Sequence, residues 1–290
     1  AISAVYRGKQ LVVAGDQKQL PPTSFFERSV AEEDISSDEP EFSEELKDFE
    51  SILDVCSTLG LARRRLRWHY RSKREPLIAF SNRHIYDGEL VTFPSVLDTG
   101  ETRAVRFEYV ADGRWKSGTG GGFNAIEARR TAELVMGHFR EHPALSLGVI
   151  AFSQRQQTAI LDELERLRRL HPEMEKFFTD GTEEPFFVKN LENVQGDERD
   201  VIFLSVGYGP DENGRVAMRF GPLNLLGGER RLNVAVTRSR SAMTVISSLK
   251  SHDIDLTRAK AVGPRLLRAY LDFAERGVSA LGSEVSQVDE

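Results

Sequence analysis

The chain has 290 residues, 40% of them hydrophobic and 29% charged, a composition typical of an ordinary globular protein with one or two domains. No apolar run approaches the roughly 20 residues of a membrane span. The first ten residues lack the pattern of a signal peptide. The single cysteine excludes an internal disulfide. We therefore expect a cytoplasmic protein that contacts no membrane, although a secreted protein without disulfides fits the cysteine usage as well.

The net charge of −6 argues against a nucleic-acid partner until its distribution is considered. Residues 27–50 contain eleven acidic and two basic residues, so this stretch carries more than the whole net charge. Residues 63–74 contain seven basic residues and no acidic ones. A basic strip of this kind is compatible with a phosphate backbone, and a solvated surface explains it equally well.

The first half of the chain alternates between strand and helix patterns. Apolar runs and turn residues predict strands at 11–14, 67–70, 91–94 and 105–110, and helices at 49–60, 74–85 and 124–140. The acidic, apolar-poor residues 27–45 predict a mobile insertion, and residues 118–122 predict a flexible glycine-rich loop. Asn124, followed by Glu127 three residues later, predicts a capping box at the start of the third helix.

The second half continues the same alternation. Strands are expected at 147–152, 186–189, 200–208 and 243–248, and helices at 154–170, 230–239 and 264–276, before an unstructured tail from 277. This order predicts an α/β fold: a doubly wound, mostly parallel sheet with helices on both faces. Ligands of such sheets bind at the carboxyl ends of the strands, where we expect the motifs to lie.

Four segments in this order resemble the later motifs of superfamily 1 helicases. They are Gly15–Pro22 (GDQKQLPP), His69–Ser72 (HYRS), Val194–Ile202 (VQGDERDVI) and Arg230–Arg240 (RRLNVAVTRSR). The likeness is to the 5′-to-3′ branch that contains the RNA-surveillance and replication-nuclease helicases. It implies a RecA-like fold, with the second motor domain at 46–276. Residues 1–26 would then be the last strand and motif III of the first motor domain, 27–45 an acidic insertion and 277–290 a flexible tail.

The resemblance also implies roles for individual residues. Phosphoryl transfer needs positive charge on the γ-phosphate, and an arginine fork binds phosphate through two hydrogen bonds. Arg71 and Arg238 match the family's catalytic arginines, and Gln19 matches the glutamine that links the γ-phosphate to the nucleic-acid path. Glu198 resembles the glutamate that contacts the ribose, and Gly196 would allow close approach of the backbone. Surface ion pairs for the arginines and loop hydrogen bonds for Gln19 are the structural alternatives.

Contacts with nucleic acid are implied at two further positions. Asn190 occupies the place of the family's motif V contact with the sugar–phosphate backbone. Gln156 matches the glutamine that follows a Pro-Tyr pair in the family, although Phe152-Ser153 replaces that pair here. Phe152 itself is expected in the core. The implied partner is single-stranded nucleic acid; DNA is favoured over RNA, and the sequence leaves both open.

The expected cofactor is ATP with Mg²⁺, but the chain contains neither a phosphate loop nor an acidic magnesium-binding motif. In the family these lie on the first motor domain, so we expect this chain alone to be inactive. Residues 254–256 and the last helix resemble, more loosely, bacterial helicases that continue into a small nuclease-like domain. The six histidines show no metal-ligand spacing. Two other readings are a non-catalytic nucleic-acid-binding or scaffold domain, and a small-molecule transferase, for which no cofactor fingerprint is present.

Overall fold

The computed structural model describes residues 2–20, 51–94, 103–116, 122–179, 181 and 183–282. The chain divides into two compact units, Ala1–Leu66 and Arg67–Glu290. The second motor domain at 46–276 stays a prediction. The acidic insertion predicted at 27–45 and most of the predicted glycine-rich loop lie outside the described residues. No helix in the described ranges is long and apolar enough to cross a membrane.

The described part of the first unit contains two short helices, α1 (Ile2–Arg7) and α2 (Ile52–Thr58). Helix α2 begins at Ile52, where the Ser51 side chain accepts a hydrogen bond from the Asp54 amide at 3.3 Å, and the start predicted at residue 49 lies outside the described residues. The buried strand predicted at residues 11–14 is not formed, and Val12 is 82% exposed. An apolar run becomes a buried strand only beside partners that satisfy its backbone, and the described part of this unit contains no strand.

The second unit contains a five-stranded sheet in which every pairing is parallel. Its strands are β1 (Val105–Tyr109), β2 (Leu147–Ala151), β3 (Phe187–Asn190), β4 (Arg199–Ser205) and β5 (Ser239–Ser247). Their spatial order is β1-β5-β4-β2-β3. The chain therefore winds in one direction from β2 to β3 and then returns to the other side of β2. This all-parallel, doubly wound arrangement confirms the predicted α/β, RecA-like fold.

Helices cover both faces of this sheet. They are α3 (Pro76–His84), α4 (Ala125–Glu141), α5 (Gln154–Leu170), α6 (Gly228–Val236) and α7 (Val262–Arg276). One core joins α4 and α5 to alternate strand residues, among them Val149, Phe203 and Ile246. On β5, Met243 is an odd number of positions from Ile246 and so faces the other side, where it accepts a hydrogen bond from Tyr270 of α7 at 2.8 Å. Successive side chains of the sheet thus enter two separate cores.

Four further predicted elements differ from the structure. The strands expected at 67–70 and 91–94 are reduced to a single parallel bridge between Trp68 and Val91. Strand β5 begins at Ser239 rather than 243, because Arg199 and Ser239 already pair at the start of β4 and β5. Residues 277–282 form a short 3₁₀ helix with Ala280 buried, so the predicted tail is ordered as far as residue 282. In each case, tertiary contacts override the local pattern.

Candidate functional site

Three of the predicted nucleotide-binding residues lie together at the amino ends of neighbouring strands. Glu198 immediately precedes β4, and Arg238 immediately precedes β5. These two strands are adjacent, with Arg199 paired to Ser239. The placement of Arg71, Glu198 and Arg238 at carboxyl ends, expected from the general rule for open sheets, is therefore wrong. Adjacent parallel strands bring matching ends together, and the motifs here precede their strands instead of following them.

Arg71 reaches this edge from the loop before α3. The Lys73 amide donates to the Arg240 carbonyl oxygen at 2.7 Å, which fixes the loop against β5. The Arg71 Nε donates to the Glu198 Oε2 at 2.7 Å, and the two side chains remain 32% and 38% exposed. The Arg71 Nη1 also lies 3.5 Å from the Thr237 carbonyl oxygen. Arg71 thus combines a fixed loop, a carboxylate partner and access to solvent.

The neighbouring histidine is held neutral. The His69 Nε2 lies 2.9 Å from the Ser72 Oγ and accepts from the Ser72 amide at 3.2 Å. Burial, with the positive charge of Arg71 as the smaller cause, lowers the pKa of His69 to about 4. At neutral pH the ring therefore supports the Arg71 loop without adding a charge to it.

Arg238 is the most enclosed of the three, with 1% of its surface exposed. Its Nε donates to the Val234 carbonyl oxygen at 2.8 Å, and its Nη2 donates to the Thr237 Oγ1 at 3.2 Å. Burial, together with the nearby charge of Arg71, lowers the pKa of Arg238 to about 10, so the guanidinium stays protonated at pH 7. The structure therefore places Arg238 beside Arg71 but turned against its own helix.

Further charges surround this group. Arg240 forms ion pairs with Glu184 and, at 3.2 Å, with Asp200, and its Nη1 lies 3.6 Å from the Glu198 Oε1. Burial alone would raise the pKa of Asp200, but hydrogen bonds from Lys73 and Arg240 hold it below its usual value. These contacts hold the loop before α3 against the starts of β4 and β5.

Gly196 and Gln19 are explained by local backbone geometry. Gly196 has a φ of +92°, and a Cβ atom there would meet nothing within 4 Å. Its left-handed conformation, rather than a close neighbour within the chain, therefore favours glycine. In the first unit, the Gln19 Nε2 donates to the Asp16 Oδ2 at 3.0 Å, and the Lys18 amide donates to the Asp16 Oδ1 at 2.9 Å. Asp16 thus shapes this turn.

The two predicted nucleic-acid contacts lie at the opposite, carboxyl end of the sheet. Asn190 is the last residue of β3, and its side chain donates to Gln157 at 3.1 Å and accepts from the Glu192 amide at 3.1 Å. Gln156, in the first turn of α5, is fully buried. It accepts from the Asn124 amide at 2.8 Å and donates to the Ser205 Oγ at 3.2 Å. In this conformation Gln156 links α4, α5 and β4, and its side chain is not at the surface.

At the same end of the sheet, the hydrogen bond predicted for the Glu127 side chain is wrong. Asn124 caps α4 as predicted, accepting from the Glu127 amide at 3.2 Å. The predicted capping box is wrong, however, because Gln156 rather than Glu127 accepts from the Asn124 amide. The Glu127 carboxylate bonds instead to residues at the ends of β4 and β5. A first-turn glutamate is equally typical of both arrangements, so no signal in the sequence distinguishes them.

The family model described as an AAA domain matches residues 49–250. An uncharacterized ATP-dependent helicase of Mycoplasma genitalium is 34% identical over 99% of this chain and 25% of its own length. Its Mycoplasma pneumoniae homolog is 33% identical over 95% and 24%. The regulator of nonsense transcripts 1 homolog of Arabidopsis thaliana is 24% identical over 83% of this chain and 18% of its own length. The chain spans about a quarter of the length of the Mycoplasma relatives.

Among solved structures, the C-terminal domain of a Lactobacillus protein described as a possible DNA helicase aligns with a TM-score of 0.34 and 11% identity. That alignment covers 62% of this chain and 88% of the other. So low a score supports no argument about fold, which rests here on the sheet itself. The family model includes three of the four helicase motifs found in the sequence. The chain therefore belongs to the AAA domain family and is a superfamily 1 helicase motor domain.

Proposed function

We propose that this chain is the second, C-terminal motor domain of an ATP-dependent nucleic-acid helicase. Its part in the reaction is to present Arg71 and Arg238 to a nucleotide that a first motor domain of the same polypeptide binds. The observation that carries this proposal is the solvent-accessible pair of Arg71 and Glu198, at 2.7 Å, beside the protonated Arg238. If Arg71 served only as an ion-pair partner of Glu198, the buried Arg238 guanidinium beside it would have no purpose.

The residues present fit part of a nucleotide. Bound ATP with Mg²⁺ supplies the γ-phosphate and the metal that neutralises its charge. A phosphate oxygen would replace Glu198 as the partner of Arg71, which leaves the Glu198 carboxylate to accept from the ribose hydroxyls. Arg238 would exchange its bond to the Val234 carbonyl for a charge-assisted bond to phosphate, which is the stronger of the two. Gln19 and Gly196 complete the proposed set of nucleotide-linked residues.

Magnesium is assigned to the first motor domain. The described residues contain no group of three or more His, Cys, Asp or Glu side chains that could bind a metal ion. The acidic side chains at the arginine-rich edge are already engaged with Arg71, Lys73 and Arg240. We propose that this chain contributes positive charge to the nucleotide through Arg71 and Arg238, and that the first motor domain holds the magnesium.

The carboxyl end of the sheet is the proposed nucleic-acid side. Asn190 lies there, and single-stranded DNA is the expected partner in preference to RNA. Gln156 enters the proposal as a residue that positions this edge, since its amide bonds to Asn124 and Ser205. A small nuclease-like domain after residue 290 and a cytoplasmic location belong to the same proposal.

A non-catalytic scaffold domain is the second candidate, and one observation favours it. The Arg238 side chain bonds to Val234 and Thr237 of its own chain, an arrangement that also suits a purely structural arginine. The two candidates differ in what they require of Arg71, since a scaffold has no need of an accessible guanidinium at this edge.

The test compares the full-length protein with residues 1–290 alone. We expect the full-length protein to hydrolyse ATP with Mg²⁺ faster in the presence of a single-stranded oligonucleotide, and the isolated chain to show no turnover. The isolated chain has no phosphate loop to hold the β- and γ-phosphates. Adding a separately purified upstream domain should restore part of the activity. Turnover by residues 1–290 alone that is lost in Arg238→Ala would refute the division between two domains, and an inactive full-length protein would favour the scaffold.

A further inference from the structure

The carboxyl end of the sheet contains a buried carboxylate with no basic partner among its hydrogen bonds. Glu127, in the first turn of α4, is fully buried. Its Oε1 accepts from the Ser205 Oγ at 2.8 Å and the Gly207 amide at 2.5 Å. Its Oε2 accepts from the amide and the hydroxyl of Ser248, both at 3.2 Å. Four donors from the ends of β4 and β5 thus converge on one side chain.

The hydrogen bonds around the Glu127 carboxylate all run toward it, from backbone amides directly and from side-chain amides through serine hydroxyls. The Asn124 amide group donates to the Ser248 Oγ at 2.8 Å, and the Gln156 amide group donates to the Ser205 Oγ at 3.2 Å. Each hydroxyl therefore accepts one hydrogen bond and donates its own to Glu127. A protonated Glu127 would have to donate, but backbone amides cannot accept, and a hydroxyl could accept only by reorienting. The arrangement consequently requires the ionised carboxylate.

The residues that Glu127 holds lead into the surface of the proposed nucleic-acid side. Gly207 has a φ of +72°, and a Cβ atom there would lie 2.7 Å from the Gln156 Cγ, so the backbone fits tightly over α5. Tyr208 follows and packs against Trp115 with ring centroids 4.7 Å apart. The Trp115 amide in turn donates to the Pro210 carbonyl oxygen at 2.9 Å. The loops after β1 and β4 are thereby joined above the carboxylate.

We propose that Glu127 is a positioning residue whose negative charge holds the buried residues 206–209, and with them the largely exposed residues 211–219 that follow, in the conformation that receives single-stranded nucleic acid. This inference rests on the proposed function and goes beyond it by adding a residue that never touches the ligand. Holding a charge in the interior opposes folding, because the carboxylate gives up its hydration. Packing alone does not account for a glutamate, because the four donors need an acceptor on both carboxylate oxygens.

The protonation of Glu127 provides a signature that separates this role from a structural one. Burial raises the pKa of Glu127 to about 7, against the opposing effect of its bonds from Gly207, Ser205 and Ser248. All of its hydrogen-bond partners are hydroxyls or backbone amides, and no charged side chain of the described residues contributes to this shift. Between about pH 4.5, where the unfolded chain titrates, and about pH 7, the folded domain binds the extra proton. As the pH rises through this window, Glu127 contributes less stability, while the carboxylate that holds the loop becomes populated.

The experiment measures binding of a fluorescein-labelled 20-nucleotide oligothymidylate to the full-length protein by anisotropy, from pH 6 to pH 8. The variant is Glu127→Gln, which keeps the shape but turns an amide donor toward the Gly207 or Ser248 amide. At pH 8 we expect it to bind about tenfold more weakly than wild type, the effect of one or two unsatisfied buried donors. At pH 6 the ratio of the two dissociation constants should approach one, since wild-type Glu127 is then protonated as well. Taking the ratio cancels the other groups that titrate in this range.

Three controls accompany this variant. Glu133→Gln changes a half-exposed carboxylate on the same helix, where its partner Arg130 lies at 3.6 Å, and should bind like wild type. Affinity for a non-hydrolysable ATP analogue should be unchanged in Glu127→Gln, because the arginine-rich end of β5 lies roughly 25 Å away along the strand. Ser248→Ala removes one donor while retaining the carboxylate, so at pH 8 it should weaken binding by less than Glu127→Gln does, and its difference from wild type should likewise disappear at pH 6.

The outcomes separate this inference from the proposed function. A Glu127→Gln protein that binds like wild type at pH 8, or a ratio that stays constant from pH 6 to pH 8, overturns the positioning role while nucleic-acid binding stands. A wild-type protein that does not bind the oligonucleotide overturns both. Should Glu127→Gln fail to fold, the Ser248→Ala variant decides: weaker binding that fades at pH 6 supports the role, and wild-type binding overturns it.

Discussion

Replacing Arg71 by lysine distinguishes a catalytic role from a structural one, because the two roles predict losses of ATP hydrolysis of very different size. The Arg71–Glu198 pair has a distance of 2.7 Å, and about a third of each side chain is exposed. Pairs this accessible contribute about 0–1 kcal/mol to stability, because water and salt screen them. Lysine keeps the charge and much of that contribution but lacks the fork that binds two phosphate oxygens. A purely structural Arg71 therefore predicts little change in any measurement.

If Arg71 binds phosphate, the substitution should lower the rate of ATP hydrolysis strongly and the free energy of unfolding only slightly. Losing one preorganised charge-assisted contact with the transition state costs about 2.7–4 kcal/mol, or a hundredfold or more in kcat. We expect Arg71→Lys in the full-length protein to lose at least about a hundredfold of its nucleic-acid-stimulated ATP hydrolysis. Its free energy of unfolding in urea should change by less than about 1 kcal/mol.

The matched control for Arg71→Lys lies on the same unit. Arg130 approaches Glu108 at 2.7 Å, with side chains 43% and 32% exposed, so this pair has nearly the same geometry and accessibility. Arg130 belongs to α4 and has no place in the helicase motifs. Arg130→Lys should leave both the rate and the stability close to wild type. If both variants retain ATP hydrolysis within a few-fold of wild type, Arg71 is only an ion-pair partner and the catalytic reasoning fails.

Three further predictions follow from the same region. Arg238→Ala should lower ATP turnover by about a hundredfold or more while nucleotide affinity, measured by titration, falls less; turnover within a few-fold of wild type would remove Arg238 from the reaction. Gly196→Ala should lower the free energy of unfolding in urea by about 1 kcal/mol, because alanine is strained at a left-handed φ, and an unchanged midpoint would contradict this. With its pKa lowered to about 4, His69 contributes stability above pH 6.5 that is lost as the pH falls toward 4. His69→Gln should therefore show a smaller loss of stability over that window, and equal slopes would count against the assignment.

The sequence alone determined the features that depend on neighbouring residues. Helix α5 begins and ends where it was predicted, at Gln154 and Leu170, because Ser153 caps its first turn and its apolar residues recur at helical spacing. Helix α4 begins after Asn124 for the same reason. Alternation of such helices with short apolar runs was sufficient to predict a parallel α/β sheet, and the order of four motifs was sufficient to indicate a helicase.

The tertiary structure decided everything that depends on which strands are neighbours. Residues 11–14 and 67–70 have the pattern of strands, but strands are stabilised by partners that may be any distance away along the chain. The adjacency of β4 and β5 places Glu198 beside Arg238 at one end of the sheet and gathers the ends of both strands around Glu127 at the other. A capping box and a buried carboxylate network use the same residue types at the same spacing. Only the packing of α4 and α5 against the sheet distinguishes them, because it determines which donors reach the carboxylate.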